Sequence, residues 1–227
     1  DLEAVAERID SETCALMIEP IQGEGGVRIP SREFLAGLRQ LADEHELLLI
    51  FDEVQTGCGR TGQWFAYQHF DVTPDVITLS KAICGGLAGG AMLTTREIAP
   101  SLRPGMHACT FGGNAIAACA GIATLETIEQ DHLLEHAQQL SAQFRTRLET
   151  LQATCPLIRE VRLVGLMIGI ELTINGGPVV EACLQRQLLV NCTHDTVIRL
   201  LPPMTLTPQQ VDQGCDVLAA ALQSVSA

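Results

Sequence analysis

Continuous apolar runs of four or five residues, each stopped by a charged or polar residue, punctuate the first part of the chain. Ala15-Leu16-Met17-Ile18 closes at Glu19-Pro20, Leu47-Leu48-Leu49-Ile50-Phe51 at Asp52-Glu53, and Val76-Ile77-Thr78-Leu79 at Ser80-Lys81. Runs of this length without alternation fit strands buried on both faces of a parallel sheet. Ala91-Met92-Leu93-Thr94 reads as a further strand. Between the first two runs, Pro30-Ser31-Arg32-Glu33 starts a helix in which Phe34, Leu35, Leu38 and Leu41 recur at helical spacing for one buried face. Such a helix supplies the crossover that parallel neighbours need. The pattern predicts an α/β fold in which Asp52 and Lys81 leave neighbouring strand ends, where open α/β sheets bind their ligands.

From Asp131 the texture changes. An Ala-rich helix running from Asn114 to about Glu129 gives way to an amphipathic helix from Leu133 to about Thr154. Strand-like runs follow at Ile158–Val164 and Met167–Leu172, then a helix near Val179–Gln187 and strands at Leu188–Cys192 and Val197–Leu201. A last helix begins at Thr207-Pro208, with proline at its first position. This is α+β order, so a boundary is expected near Gln130, dividing the chain into domains 1–130 and 131–227. The chain opens at Asp1-Leu2-Glu3 without a methionine and reaches its first strand almost at once. It reads as the later part of something longer.

Composition narrows the partners. Fourteen basic against twenty-seven acidic residues among 227 give a net charge of −13, which argues against a nucleic-acid surface and against adhesion to anionic membranes. No apolar run approaches the roughly 20 residues needed to span a bilayer, and the N-terminus has no signal-peptide pattern. A soluble, cytoplasmic protein whose partners are small molecules and protein subunits is expected. The nine cysteines are scattered without a C-x-x-C pair, and the six histidines without ligand spacing, so no metal is predicted and the thiols read as small apolar residues.

Three glycine-bearing loops sit where ligands would bind. Ile21 to Val27 places Glu24 amid three glycines, Glu53 to Gly62 is long and polar, and His107 to Asn114 feeds a helix. Each has a plain reading as a turn or a helix cap, and Trp64, Phe65, Tyr67 and Phe70 read first as a plug over the sheet edge or a subunit contact. A lysine in an enclosed site can instead be an amine nucleophile that forms a Schiff base with a carbonyl. Pyridoxal phosphate chemistry needs such a lysine, an Asp facing the pyridine nitrogen and an anion pocket. Asp52, Lys81 and the Thr110 loop could supply these three, although a solvated lysine beside a strand-end Asp has the same spacing.

Longer motifs go further. Glu19-Pro20-Ile21-Gln22-Gly23-Glu24-Gly25-Gly26, the run Phe51 to Gly62, Ser80-Lys81-Ala82 and Thr110-Phe111-Gly112-Gly113-Asn114 together resemble the class III (ω-amino acid) aminotransferases of pyridoxal phosphate fold type I. Val190-Asn191-Cys192-Thr193 and Val197-Ile198-Arg199-Leu200-Leu201-Pro202-Pro203 look most like the acetylornithine aminotransferases within that class. The resemblance implies the later part of a cofactor-binding large domain (1–130), mostly parallel sheet with flanking helices, followed by an α+β small domain (131–227). It implies that Lys81 holds pyridoxal 5'-phosphate covalently and shuttles a proton, and that Asp52 pairs with the ring nitrogen. Gln55 would lie near the ring's phenolic oxygen, and Thr110 would bind the phosphate of a homodimer partner's cofactor in a shared active site. Arg199 matches the substrate-carboxylate arginine and Glu24 an acid that masks it.

The implied reaction moves the δ-amino group of N-acetylornithine to 2-oxoglutarate, in arginine biosynthesis. Ornithine, succinylornithine or 4-aminobutyrate as donor, and a truncated, non-catalytic chain serving only as an interface subunit, are the alternatives. Cys84, Ala88-Gly89-Gly90, Ala115 and Leu163-Val164-Gly165 depart from the family's usual loops. The family's N-terminal part, with a Gly-Thr phosphate loop, a cofactor-stacking aromatic and a second substrate arginine, has no counterpart in the sequence.

Overall fold

A computed structural model describes residues 1–226 of the chain. They form two compact units: Asp1–Ile21, Pro30–Cys58 and Gln63–Asp131 in the first, and Gln22–Ile29, Gly59–Gly62 and His132–Ala227 in the second. Two short loops of the earlier sequence are therefore counted with the later unit. Among the described residues no helix is long and apolar enough to cross a membrane, and no group of three His, Cys, Asp or Glu is placed to hold a metal ion. All nine cysteines are free thiols.

The first unit runs α1 (Leu2–Ala6), β1 (Ala15–Ile18), α2 (Arg32–Glu44), β2 (Leu48–Asp52), β3 (Val76–Leu79), β4 (Ala91–Thr94) and α3 (Ala115–Gln130). Its sheet has the order β1-β2-β3-β4. The first three strands are parallel, with Ile18 opposite Phe51 and Asp52 opposite Thr78, and β4 returns antiparallel to β3. Ser31 caps α2 by accepting from the Phe34 N–H at 3.2 Å. The helix buries Leu35, Leu38 and Ala42, a narrower stripe than its apolar residues suggest. Phe34 and Leu41 sit at the stripe's edges and are half-buried. Asp75 joins helix and sheet: its carboxylate accepts from Leu49 N at 2.7 Å and pairs with Arg39 of α2 at 2.8 Å. In α3 only Ile128 is buried, while Ile116 and Ile122 stand exposed.

The second unit contains α4 (Leu133–Thr154), β5 (Ile158–Val164), β6 (Met167–Leu172), α5 (Gly177–Gln185), β7 (Asn191–Thr193), β8 (Val197–Leu200) and α6 (Pro208–Ser226). Its sheet is antiparallel throughout, in the order β5-β6-β8-β7. Ala137, Leu140, Phe144 and Leu148 of α4 share one core with Ile168, Ile170 and Leu172 of β6, Ile198 of β8 and the inner faces of α5 and α6. Because strand side chains alternate between faces, Arg162, Gly169, Glu171 and Arg199 lie on the sheet face turned away from that core.

One predicted strand is largely absent. The run Leu188–Cys192 contributes only its last two residues to β7, because its start closes α5: Gln187 takes a left-handed φ of 62° and the Leu188 N–H donates to Cys183 O at 3.0 Å. Such a bond back into the last turn satisfies carbonyls that the ending helix leaves without partners.

Candidate active site

In the first unit the carboxyl end of β2 carries the acid pair. Asp52 is half-buried. Its Oδ1 accepts from the Val54 N–H at 3.0 Å and from the Thr78 hydroxyl on β3 at 3.1 Å. Both bonds converge on one oxygen, so Oδ2 keeps its acceptor capacity. The donor Thr78 stands directly opposite Asp52 in the parallel ladder, a consequence of register that no motif reveals.

Glu53 behaves differently from its neighbour. Its backbone continues the ladder by donating to Thr78 O at 3.0 Å, but its side chain is almost wholly buried. There it accepts from the Thr56 hydroxyl, from Ala66 N at 3.0 Å and from Tyr67 N at 2.9 Å. Burial raises its carboxyl above the usual range, opposed by the Thr56, Ala66 and Tyr67 hydrogen bonds. Glu53 thus draws the Ala66–His69 turn back to the strand that ends beside Gln55. The nearby Cys58 thiol is pushed up to about 11, first by burial and then by Glu53, which makes it a poor nucleophile. Phe65 and Tyr67 stack on each other with ring centroids 5.8 Å apart.

Lys81 opens a short 3-10 turn, Lys81–Cys84, straight after β3, and its own backbone is left-handed at φ 48°. Long side chains rarely take that conformation, and residues held there concentrate at functional sites. Ser80 fixes the loop that follows by donating its hydroxyl to Gly89 O at 2.9 Å. Lys81 is exposed, and it leaves the strand next to the one that ends in Asp52. Thr110 is exposed in the loop before α3. That helix is capped by Asn114, which accepts from Ala117 N at 2.9 Å and donates to Phe111 O at 2.8 Å. The Gly112 N–H serves a local turn to Cys109 O at 3.1 Å.

The second unit brings Glu24 and Arg199 together. Glu24 Oε1 lies 2.8 Å from Arg199 Nη1, with the arginine side chain 8% exposed and the glutamate 70%. The guanidinium is therefore the fixed partner and the carboxylate the one able to leave. Asn191, directly across the ladder on β7, holds Arg199 from the other side. With its amide turned to match its surroundings, its oxygen accepts from Nη2 at 2.9 Å and its nitrogen donates to Arg199 O at 3.2 Å.

One cross-strand row carries this arrangement. Arg162 pairs with Gly169, Gly169 with Arg199, and Arg199 with Asn191, spanning all four strands. The Glu24 loop lies over it. Val27 is fully buried, and a Cβ on Gly169 would come within 2.8 Å of the Val27 Cβ. Arg162 donates to Gly26 O at 2.9 Å and to Val27 O at 3.2 Å, and its Nη1 pairs with Glu171 at 2.6 Å. Hydrogen bonding to Arg162 holds the Glu171 carboxyl below the usual range. The second loop counted with this unit is fixed by another arginine: Arg60 donates to Leu166 O at 3.3 Å and to Pro202 O just past β8. Burial lowers its pKa, and neither bond brings it a countercharge.

The motifs assign roles to Asp52, Gln55, Lys81, Thr110, Glu24 and Arg199, but none to Thr78, Glu53, Arg162, Gly169 or Asn191, whose parts depend on register or burial. Glu53 and Asn191 fall within the family motifs, and the other three leave only their placement on strands as a trace in the sequence.

The Aminotransferase class-III profile matches residues 1–222. The acetylornithine aminotransferase of Methanocaldococcus jannaschii is 44% identical over 216 residues, covering 93% of this chain and 53% of its own length. The chain thus spans about half the length of that relative. Among solved structures, the ornithine aminotransferase of Plasmodium yoelii matches with a TM-score of 0.93 at 35% identity, over 99% of this chain and 61% of that one. A structure of the Toxoplasma gondii ornithine aminotransferase, described as having partial occupancy of PLP at its active site, matches with a TM-score of 0.93 at 31% identity, over 100% of this chain and 55% of that one. The profile match over nearly the whole chain, and likenesses that extend through both units, make this chain a member of the class III aminotransferases.

Proposed function

We propose that this chain is the lysine-bearing part of an aminotransferase that uses pyridoxal 5'-phosphate to move the δ-amino group of N-acetylornithine to 2-oxoglutarate. In this reading residues 1–130 belong to the cofactor-binding domain and 131–227 form the small domain of a cytoplasmic homodimer in arginine biosynthesis. The observation that carries it is the Asp52–Lys81 frame. A carboxylate with one oxygen already satisfied by Val54 and Thr78 and the other able to accept suits a protonated ring nitrogen, and a lysine leaves the adjoining strand.

Bound pyridoxal phosphate supplies an electron sink for the carbanion left when a proton leaves the amino-bearing carbon. The chain's residues do the rest. Lys81 would hold the cofactor through Nζ and, once the substrate amine has displaced it, the freed amine would take the proton from the substrate carbon and hand it to the cofactor's C4′. Asp52 keeps the ring nitrogen protonated by lending it a negative charge. Gln55 lies by the phenolic oxygen, and Thr110 donates to the phosphate held by the partner subunit, so each active site needs both chains. Arg199 takes the α-carboxylate of 2-oxoglutarate through its planar fork. Glu24 masks that fork while the δ-amine donor is bound and yields it when the dicarboxylate arrives.

Ornithine is the second donor to consider, since relatives named ornithine aminotransferase match at 42% and 41% identity. Succinylornithine and 4-aminobutyrate complete the donor panel. The test is to mix full-length protein with pyridoxal phosphate, reduce with borohydride, and locate the added mass. The expected product carries it on Lys81, with the highest kcat/KM for N-acetylornithine across the panel. Label on another lysine would overturn the assignment of Lys81, and no label at all would leave this chain a non-catalytic interface subunit.

A further inference from the structure

We propose that Arg162 is a positioning residue that sets the strength of the Glu24–Arg199 mask. The proposal rests on the reading of Glu24 as the group that covers Arg199, and extends it to the machinery that holds Glu24 in place.

The loop bearing Glu24 is closed at its base by the Gln22–Arg28 bridge, with backbone bonds of 3.0 and 3.2 Å, and Arg28 Nε donates to Gly25 O at 3.1 Å; its tip relies on contacts from the sheet. Gly26 and Val27 occupy successive left-handed positions at φ 95° and 51°, and the second is β-branched, a type that rarely tolerates that region. Two backbone bonds across the tip, Gly26 N and Val27 N to Gly23 O, are long at 3.4 Å. External contacts reinforce that tip. Val27 fills the notch that Gly169 leaves in the sheet, a Cβ on Gly26 would come within 3.2 Å of the Val197 side chain, and Arg162 donates to the carbonyls of both Gly26 and Val27.

A guanidinium suits this task because its donors are fixed in one plane and reach several acceptors at once. Arg162 uses Nε and Nη2 on the loop and Nη1 on Glu171 of β6 and on Glu160 of its own strand. The glutamates fix the guanidinium, the guanidinium steadies the loop tip, and the loop presents Glu24 to Arg199 two strands along the same row. Arg199 is nearly buried, and a buried cation strongly favours an anionic partner. Any loss of order in the loop therefore favours replacement of Glu24 by a carboxylate from solution.

The test measures glutarate, a five-carbon dicarboxylate probe, binding to the full-length holoenzyme, together with hydrogen exchange of residues 23–28. Glu24→Gln is expected to tighten glutarate on the order of tenfold. Arg162→Gln is expected to tighten it similarly and to speed exchange in the loop while β6 and β8 stay protected. Combined with Glu24→Gln, it should add little. Arg162→Lys keeps the charge but has no planar fork, so it should resemble Arg162→Gln. Glu171→Gln, which releases the guanidinium from behind, should give a smaller shift in the same direction and serves should the Arg162 variants not fold. Tightening by Glu24→Gln with glutarate affinity unmoved in the Arg162 and Glu171 variants would leave the mask standing and overturn the role of Arg162. No change on Glu24→Gln would remove the mask, and the proposal with it.

Discussion

The Asp52–Lys81 frame of the first unit and the arginine row of the second place charged groups by different means. Asp52 closes one parallel strand and Lys81 follows just past the end of its neighbour, so the strand order brings both to the same end of the sheet. Glu24 and Arg199 come from distant parts of the chain. They meet only because four antiparallel strands hold one register and a loop seats in a glycine notch. The first arrangement follows from strand order, whereas a slip of one residue in the second would turn Arg199 toward the apolar core.

Kinetics give the largest expected contrast. In the full-length enzyme, Lys81→Ala should lower kcat by about 10³-fold or more. Arg199→Gln should mainly raise KM for 2-oxoglutarate, by roughly 100-fold. Equal losses of kcat in both variants would collapse the division between a chemical frame and a binding row.

Stability effects come next. Glu53→Leu leaves the Ala66 and Tyr67 N–H groups without their acceptor and should cost about 3 kcal/mol in urea unfolding. Gly169→Ala forces Val27 upward and should cost about 2 kcal/mol while also loosening the Glu24 loop. If Gly169→Ala proved neutral, the notch would not be what seats that loop.

The smallest effect is a pH dependence confined to the row. Glu171 has a folded-state pKa held below its ordinary 4.5 by the Arg162 hydrogen bond. The folded protein thus gives up this proton more readily than the unfolded chain. The associated stability is complete above pH 4.5 and is lost as pH falls below it through the folded value. Unfolding midpoints between neutral pH and pH 3 should fall less steeply in Glu171→Gln than in the parent.

Much of this was legible in advance because it is local. Apolar runs stopped by Asp52 and Lys81 mark parallel strand ends, Ser31 and Asn114 mark helix starts, and Pro208 marks the first turn of α6. Local reading failed where one stretch served two neighbours. Leu188 has the composition of a strand residue, yet its N–H closes α5. Glu53 looks like the twin of Asp52, yet one half-exposed acid accepts from a strand neighbour while the other is buried under a turn.

The amino-acid order alone determined the elements, the acid and lysine at adjoining strand ends, and the family motifs, since each depends on a short window of chain. Only the tertiary structure decided that Thr78 braces Asp52, that Gly169 is a seat for Val27, and that Arg162, Arg199 and Asn191 form one row. Those relations are set by strand register and by which face of a sheet is covered. Both emerge from the packing of the whole unit, and no window of sequence contains them.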